Sequence, residues 1–185
     1  MMLLVKKMDF EKSLNYYLKD KNTYEAKECH KNTYSTFYSN NEMLIRKRPK
    51  DFTYVTGLMT YDKDGIKVCV VHSWVEYCGL VIDVTPFANC NCPINIDDDS
   101  KEELENKCNE IIGYIQYSVM SNKKLDEKAK EMGMKAFMNK SYFDELTSNF
   151  LIELAEAVEK DSDFLSRVKD KYGYEFKKDG FSIGF

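Results

Sequence analysis

The chain has 185 residues, 43% of them hydrophobic and 31% charged, with a formal net charge of −4. That length and balance predict one soluble domain with a real hydrophobic core, and the weak acidity gives no electrostatic ground for a nucleic-acid partner. No run approaches the roughly 18 apolar residues a membrane helix needs, and "MMLLVKKMDFEKS" has neither the apolar core nor the cleavage site of a leader. The expectation is a cytoplasmic protein whose six cysteines are reduced thiols.

The first quarter of the chain reads as helical. Residues 9–19 place Phe10, Leu14, Tyr17 and Leu18 on one face. A second helix is predicted through "YEAKECHKNTYSTFYSN", with Asn22 and Glu25 spaced as a capping box. "EMLIRKRPKD" is then a charged, solvated connection stopped by Pro49.

From Phe52 the period changes to two. The spacing predicts strands over 52–61, 66–77 and 80–85, with a turn at Asp62–Gly65 and Pro86 ending the third strand. After "PFANCNCPINIDDD" the chain reads as helical again, with a capping box at Ser100 and Glu103. Helices are predicted over about 100–121, 123–137 and 141–171, the last broken near Lys160–Ser162. The tail alternates around Lys178-Asp179-Gly180 as a small hairpin would, and its aromatics read as packing residues. The fold class expected is α+β: a small antiparallel sheet between an N-terminal helix carrying Cys29 and C-terminal helices. One domain spans 1–185, with a core over 1–95 and a helical extension over 96–185.

The hairpin at 66–85 carries His72 and Asp83. A two-residue turn at Cys78-Gly79 sets Tyr77 opposite Leu80, Trp74 opposite Asp83 and His72 opposite Thr85. Opposed residues share a face, so His72 and Asp83 become diagonal neighbours at about 7–8 Å between Cα atoms, within reach of a hydrogen bond. An odd loop would send them to opposite faces. The other face, with Cys69, Val71, Val75, Ile82 and Val84, is apolar and needs a cover, for which the C-terminal helices are the candidates. The His72 face is expected under the helix carrying Cys29. An aspartate between Ile82 and Val84 is costly unless paired.

Cys29, then His72-Ser73-Trp74, then Asp83-Val84-Thr85-Pro86 resembles the transglutaminase-like branch of the papain-like cysteine protease superfamily, as does Tyr54-Val55-Thr56-Gly57 as the first strand of that pattern. The resemblance covers about residues 24–86. It implies a Cys-His-Asp triad: Cys29 as nucleophile, His72 as general base and acid, and Asp83 orienting the imidazole. One departure stands out. Family members often carry glycine shortly before the cysteine, where this chain has Lys27-Glu28.

A thiol of ordinary pKa, about 8.5, is mostly protonated at neutral pH. A nearby imidazole takes its proton, and a carboxylate fixes the imidazole's tautomer and stabilises its cation. Such a set performs acyl transfer through a thioester. Hydrolysis of a peptide or isopeptide-like amide in a protein substrate stands first, and no cofactor is implied. The oxyanion donors expected are the Cys29 backbone N–H and the Asn22 side chain, with Trp74 walling the site from water. Two alternatives stay open: a binding module that keeps the fold without activity, and an acyltransferase acting on an amine, similar to the arylamine N-acetyltransferases. His30 is expected to be exposed, because successive helix residues point about 100° apart. Cys90-Asn91-Cys92 lacks the second pair a zinc site needs, and Asp97–Ser100 reads as a helix N-terminus rather than a calcium loop. No metal is expected.

Overall fold

A computed structural model describes residues 3–19, 21–38, 52–63, 65–90, 92, 96–121 and 152–178. Among them, in chain order, lie β1 (Val5–Lys6), α1 (Phe10–Lys19), a 3-10 turn (Lys21–Thr23), α2 (Cys29–Tyr38), the long strands β2 (Phe52–Lys63) and β3 (Ile66–Tyr77), and the short β4 (Leu80–Ile82). Then come α3 (Thr85–Asn89), α4 (Asp98–Cys108), β5 (Ile111–Ser121), α5 (residues 152–160), α6 (Ser162–Tyr172) and β6 (Glu175–Phe176). The fold is α+β, around an open six-stranded sheet of order β1-β5-β2-β3-β4, with β6 also paired to β3.

The hairpin forms in the expected register. Tyr77 lies opposite Leu80 and Val75 opposite Ile82. Cys78 and Gly79 have φ of 51° and 81°, and positive φ at both positions is what a two-residue type I′ turn demands. β4 is shorter than expected. It stops at Ile82, and Thr85-Pro86 starts a helix instead of ending a strand. Proline in the first helical turn loses no hydrogen bond and brings a helical φ with it.

Three other expectations are corrected. The helix carrying Cys29 begins at Cys29, and Asn22 lies upstream in the 3-10 turn, so the Asn22–Glu25 capping box does not form. The helix expected over 100–121 ends at Cys108; residues 111–121 are a strand lying between β1 and β2. Asp97, not Ser100, caps that helix, its carboxylate accepting from Ser100 N at 2.9 Å. The sheet is mixed rather than antiparallel, because β6 runs parallel to β3, with Val68 opposite Glu175. The break between the last two helices falls at Asp161, as expected, where its Oδ1 accepts from Phe164 N at 2.8 Å and starts α6. The helix expected over 123–137, the first part of that over 141–171, the 42–51 connection and the turn at Lys178–Gly180 lie largely outside the described residues.

Strand alternation gives the sheet two apolar faces. Leu58, Cys69 and Ile115 pack under Val158, Phe164 and Val168, so the C-terminal helices cover this face as expected. Val55, Met59, Tyr61, Val68, Val70, Trp74, Val81 and Tyr114 form the other cluster, on the His72 side. Met8 joins that cluster to Leu14, Tyr17, Val84, Phe87, Leu104 and Cys108, contributed by α1, α3, α4 and the turn before α3. The apolar cover on the His72 side thus comes from α1, α3 and α4, and α2 packs against the sheet mainly at β3. β4 pairs only with Val75–Tyr77 and β6 only with Val68–Cys69. In the interval between them, Thr33 of α2 donates its hydroxyl to the Ser73 carbonyl at 2.7 Å.

Candidate active site

His72 is 3% exposed in the middle of β3, and its Nε2 lies 2.6 Å from Asp83 Oδ2. The pairing follows from the two-residue turn, which puts both residues on one face one step past the end of the β4 ladder. Asp83 is itself buried and fully engaged. Oδ2 also accepts from the Tyr114 hydroxyl at 2.9 Å, Oδ1 accepts from Thr85 N at 3.0 Å, and the Asp83 N–H donates to Ser13 Oγ at 3.1 Å. Three donors therefore converge on its two oxygens.

Cys29 is the first residue of α2, where the N–H groups have no intrahelical acceptor and the helix dipole favours an anion. The local sequence explains why the helix starts there. Asn32, fully buried, accepts from Glu25 N at 2.9 Å and donates to the Glu25 carbonyl at 2.7 Å, clamping the approaching loop to the helix. Asn32 N donates to the Glu28 carbonyl at 2.8 Å and closes the first turn. Lys27 has φ of 64°, and its N–H donates to Asn89 Oδ1 at 2.8 Å. The position that departs from the family pattern thus takes the left-handed conformation glycine favours.

Because Nε2 of His72 is occupied by Asp83, Nδ1 is the nitrogen left for sulfur. Burial disfavours the Cys29 anion. Attraction and hydrogen bonds from the neighbouring imidazoles of His30 and His72 outweigh it and hold the thiol well below its ordinary range. Burial also disfavours the His72 cation, but Asp83 and the Cys29 anion push the imidazole up to about 10. Both shifts run in the direction of a thiolate–imidazolium pair. Four other thiols go the opposite way. Burial pushes Cys69 up to about 12 and raises Cys90, Cys92 and Cys108.

The structure brings together Cys29, His72 and Asp83. It does not bring Asn22, which is exposed in the 3-10 turn. Trp74 is fully buried, 5.1 Å from the Tyr114 ring centroid, with Nε1 donating to Glu76 Oε1 at 3.2 Å. It packs in the core on the His72 side of the sheet. Sequence reasoning missed Tyr114, Asn32, Asn89 and Ser13. Tyr114 was hidden by the wrong period for 111–121; Gly113 and the β-branched pair Ile111-Ile112 were the available signals. His30 is not exposed as expected but half-buried against β3.

Among the described residues no group of three His, Cys, Asp or Glu side chains could hold a metal ion, and no helix is long and apolar enough to cross a membrane. Comparison with protein-family models, curated proteins and solved structures returned no match.

Proposed function

We propose that the chain is a cysteine-dependent acyl-transfer enzyme of the transglutaminase-like type, hydrolysing a peptide or isopeptide-like amide through a thioester on Cys29. The observation that carries this reading is the shared imidazole. His72 is bound to Asp83 through Nε2 at 2.6 Å, and its other nitrogen serves a thiol at the start of a helix.

In this reading the Cys29 thiolate attacks the carbonyl carbon, and the oxyanion forms near the N–H groups at the start of α2. The tetrahedral intermediate collapses as the His72 imidazolium gives its proton to the departing nitrogen. A water molecule, deprotonated by the now neutral His72, then attacks the thioester and releases acid and thiol. Asp83 keeps Nε2 protonated throughout, so that Nδ1 is the nitrogen that cycles. A protein or peptide is the substrate class proposed, and the cytoplasm the setting.

The test is limiting iodoacetamide at pH 6 on the full chain, read by mass spectrometry. Cys29 is expected to label ahead of Cys78, which is exposed on the hairpin turn, and His72→Ala is expected to abolish that lead in a folded protein. Uniform slow labelling of all thiols would favour a non-enzymatic binding module and overturn the reading. Where an acyl donor acylates Cys29 but product needs added amine, the enzyme is a transferase.

A further inference from the structure

The second histidine of the chain sits beside the nucleophile, on the first turn of α2. The 100° step from Cys29 to His30 turns the two side chains apart. Because α2 abuts β3, that direction meets the sheet and not solvent. His30 Nδ1 lies 2.7 Å from Ser73 Oγ and 3.2 Å from the Tyr54 hydroxyl. Ser73 Oγ lies 3.2 Å from Thr56 Oγ1. Ser73 follows His72, so its side chain leaves β3 on the opposite face. The start of α2 therefore lies against β3 so that the Cys29 thiol is within hydrogen-bond reach of both His72 and His30, while His30 also meets Ser73.

A nitrogen flanked by two hydroxyls, each with a proton to give, is served best as an acceptor. An imidazole accepting at Nδ1 carries its proton at Nε2. We propose that His30 is a second hydrogen-bond donor to the Cys29 nucleophile, its ring locked by Ser73 and Tyr54 so that Nε2–H is offered to sulfur. This rests on the reading of Cys29 as an activated nucleophile and adds a division of labour to it. His72 takes and returns the proton, whereas His30, its only lone pair engaged, holds the anion without competing as base. The thiol's lowered pKa agrees, because a hydrogen bond from His30 contributes to it alongside that from His72. The remaining titratable neighbours are Asp83, acting through His72, and Tyr61 of β2; the substitutions below leave both in place.

The experiment is the pH profile of Cys29 alkylation by iodoacetamide on the full chain. His30→Ala is expected to move the acid limb up by about one pH unit, alkylating about tenfold more slowly along that limb, because one unit of pKa is a tenfold change in thiolate. A glutamine amide nitrogen stands near the Nε2 position and an asparagine nitrogen near Nδ1. His30→Gln is therefore expected to restore most of the profile and His30→Asn little of it. Ser73→Ala, which leaves the ring but loosens it, is expected to shift the limb less in the same direction. The ring 15N spectrum reads the wild type directly, since the chain has only two histidines; His30 is expected in the Nε2–H form. An unmoved acid limb in His30→Ala, better rescue by asparagine than by glutamine, or a His30 ring protonated at Nδ1 overturns the inference while leaving the acyl-transfer reading standing. A wild-type profile with no low-pH activation overturns both.

Discussion

Asp83→Asn is the substitution that asks most of the site. The carboxylate accepts from His72 Nε2, the Tyr114 hydroxyl and Thr85 N at 2.6, 2.9 and 3.0 Å. An amide of the same shape has one acceptor oxygen for these three donors. If that oxygen stays with Thr85 N, the amide NH2 faces His72 Nε2, which must then accept. The imidazole proton moves to Nδ1, and the nitrogen facing sulfur can no longer take a proton. The loss is readable at pH 5. An ordinary thiol of pKa about 8.5 is about one part in 3,000 thiolate there, whereas a thiol held well below its ordinary range keeps a far larger thiolate fraction. Intrinsic nucleophilicity falls with pKa at a Brønsted slope of about 0.45, so roughly half of that gain, on a logarithmic scale, survives as a lead in rate. Iodoacetamide at pH 5, with peptide mass spectrometry, is expected to show that lead for Cys29 over Cys78 in the wild type and its loss in Asp83→Asn. Near-ultraviolet circular dichroism checks that the fold survives. A folded variant whose Cys29 labels at the wild-type rate refutes the role of the carboxylate.

Tyr114→Phe keeps the ring against Trp74 but removes a hydrogen bond to a charged group, so urea denaturation is expected to show a loss of about 1.5–3 kcal/mol; no loss means the phenol does not donate to Asp83. Lys27→Gly relieves a left-handed lysine but loosens the unfolded chain, and melting is expected to show a change within about 1 kcal/mol of zero. A melting temperature lowered by many degrees refutes the φ argument. Gly57→Ala would set a Cβ 2.1 Å from the Ile115 carbonyl oxygen and 3.0 Å from the Trp74 ring, with backbone that cannot yield. The expected cost is about 3 kcal/mol or more, measured by denaturant unfolding. His72 holds its proton more tightly folded than unfolded, so the stabilisation it provides is complete below pH ~6.5 and disappears as pH rises through about 10. Unfolding free energy is expected to fall across that window more steeply in the wild type than in His72→Gln, and equal slopes refute the raised pKa.

The hairpin and its consequence for His72 and Asp83 were legible because both rest on local rules. Cys78-Gly79 fixes the turn, the turn fixes the register, and the register fixes the face. The start of α2 was not legible. Its buried positions among the described side chains are Asn32, Thr33 and Thr36, so hydrophobic period gave no boundary, and Asn22 with Glu25 offered a false one. The clamp that sets the true start joins Asn32 to Glu25 and Lys27 to Asn89, contacts no local pattern records. Residues 109–121 failed for a different reason. A genuine helix, capped at Asp97, runs directly into a strand with only Asn109 and Glu110 between them. The helical period carried forward past its end, and with it Tyr114 was placed on the wrong element.

Each member of the site is held by a side chain from elsewhere in the chain. Asp83 is tied to α1 through Ser13, to β5 through Tyr114 and to α3 through Thr85. The Cys29 loop is tied to α3 through Asn89, and α2 to β3 through Thr33. Asn32, Thr33, Thr36, Ser73, Asp83 and Thr85 are all 3% exposed or less. Burying that many polar groups is unfavourable unless each finds a partner, and a satisfied network of this kind resists deformation because any displacement leaves a donor or acceptor unmade. An apolar core of the same volume would tolerate small slips of α2 along β3. A polar one does not, and a thiol and an imidazole that must meet at hydrogen-bond distance need that intolerance. The polar contacts of α2, which concealed its boundary in the sequence, are thus the same ones that fix Cys29 against His72.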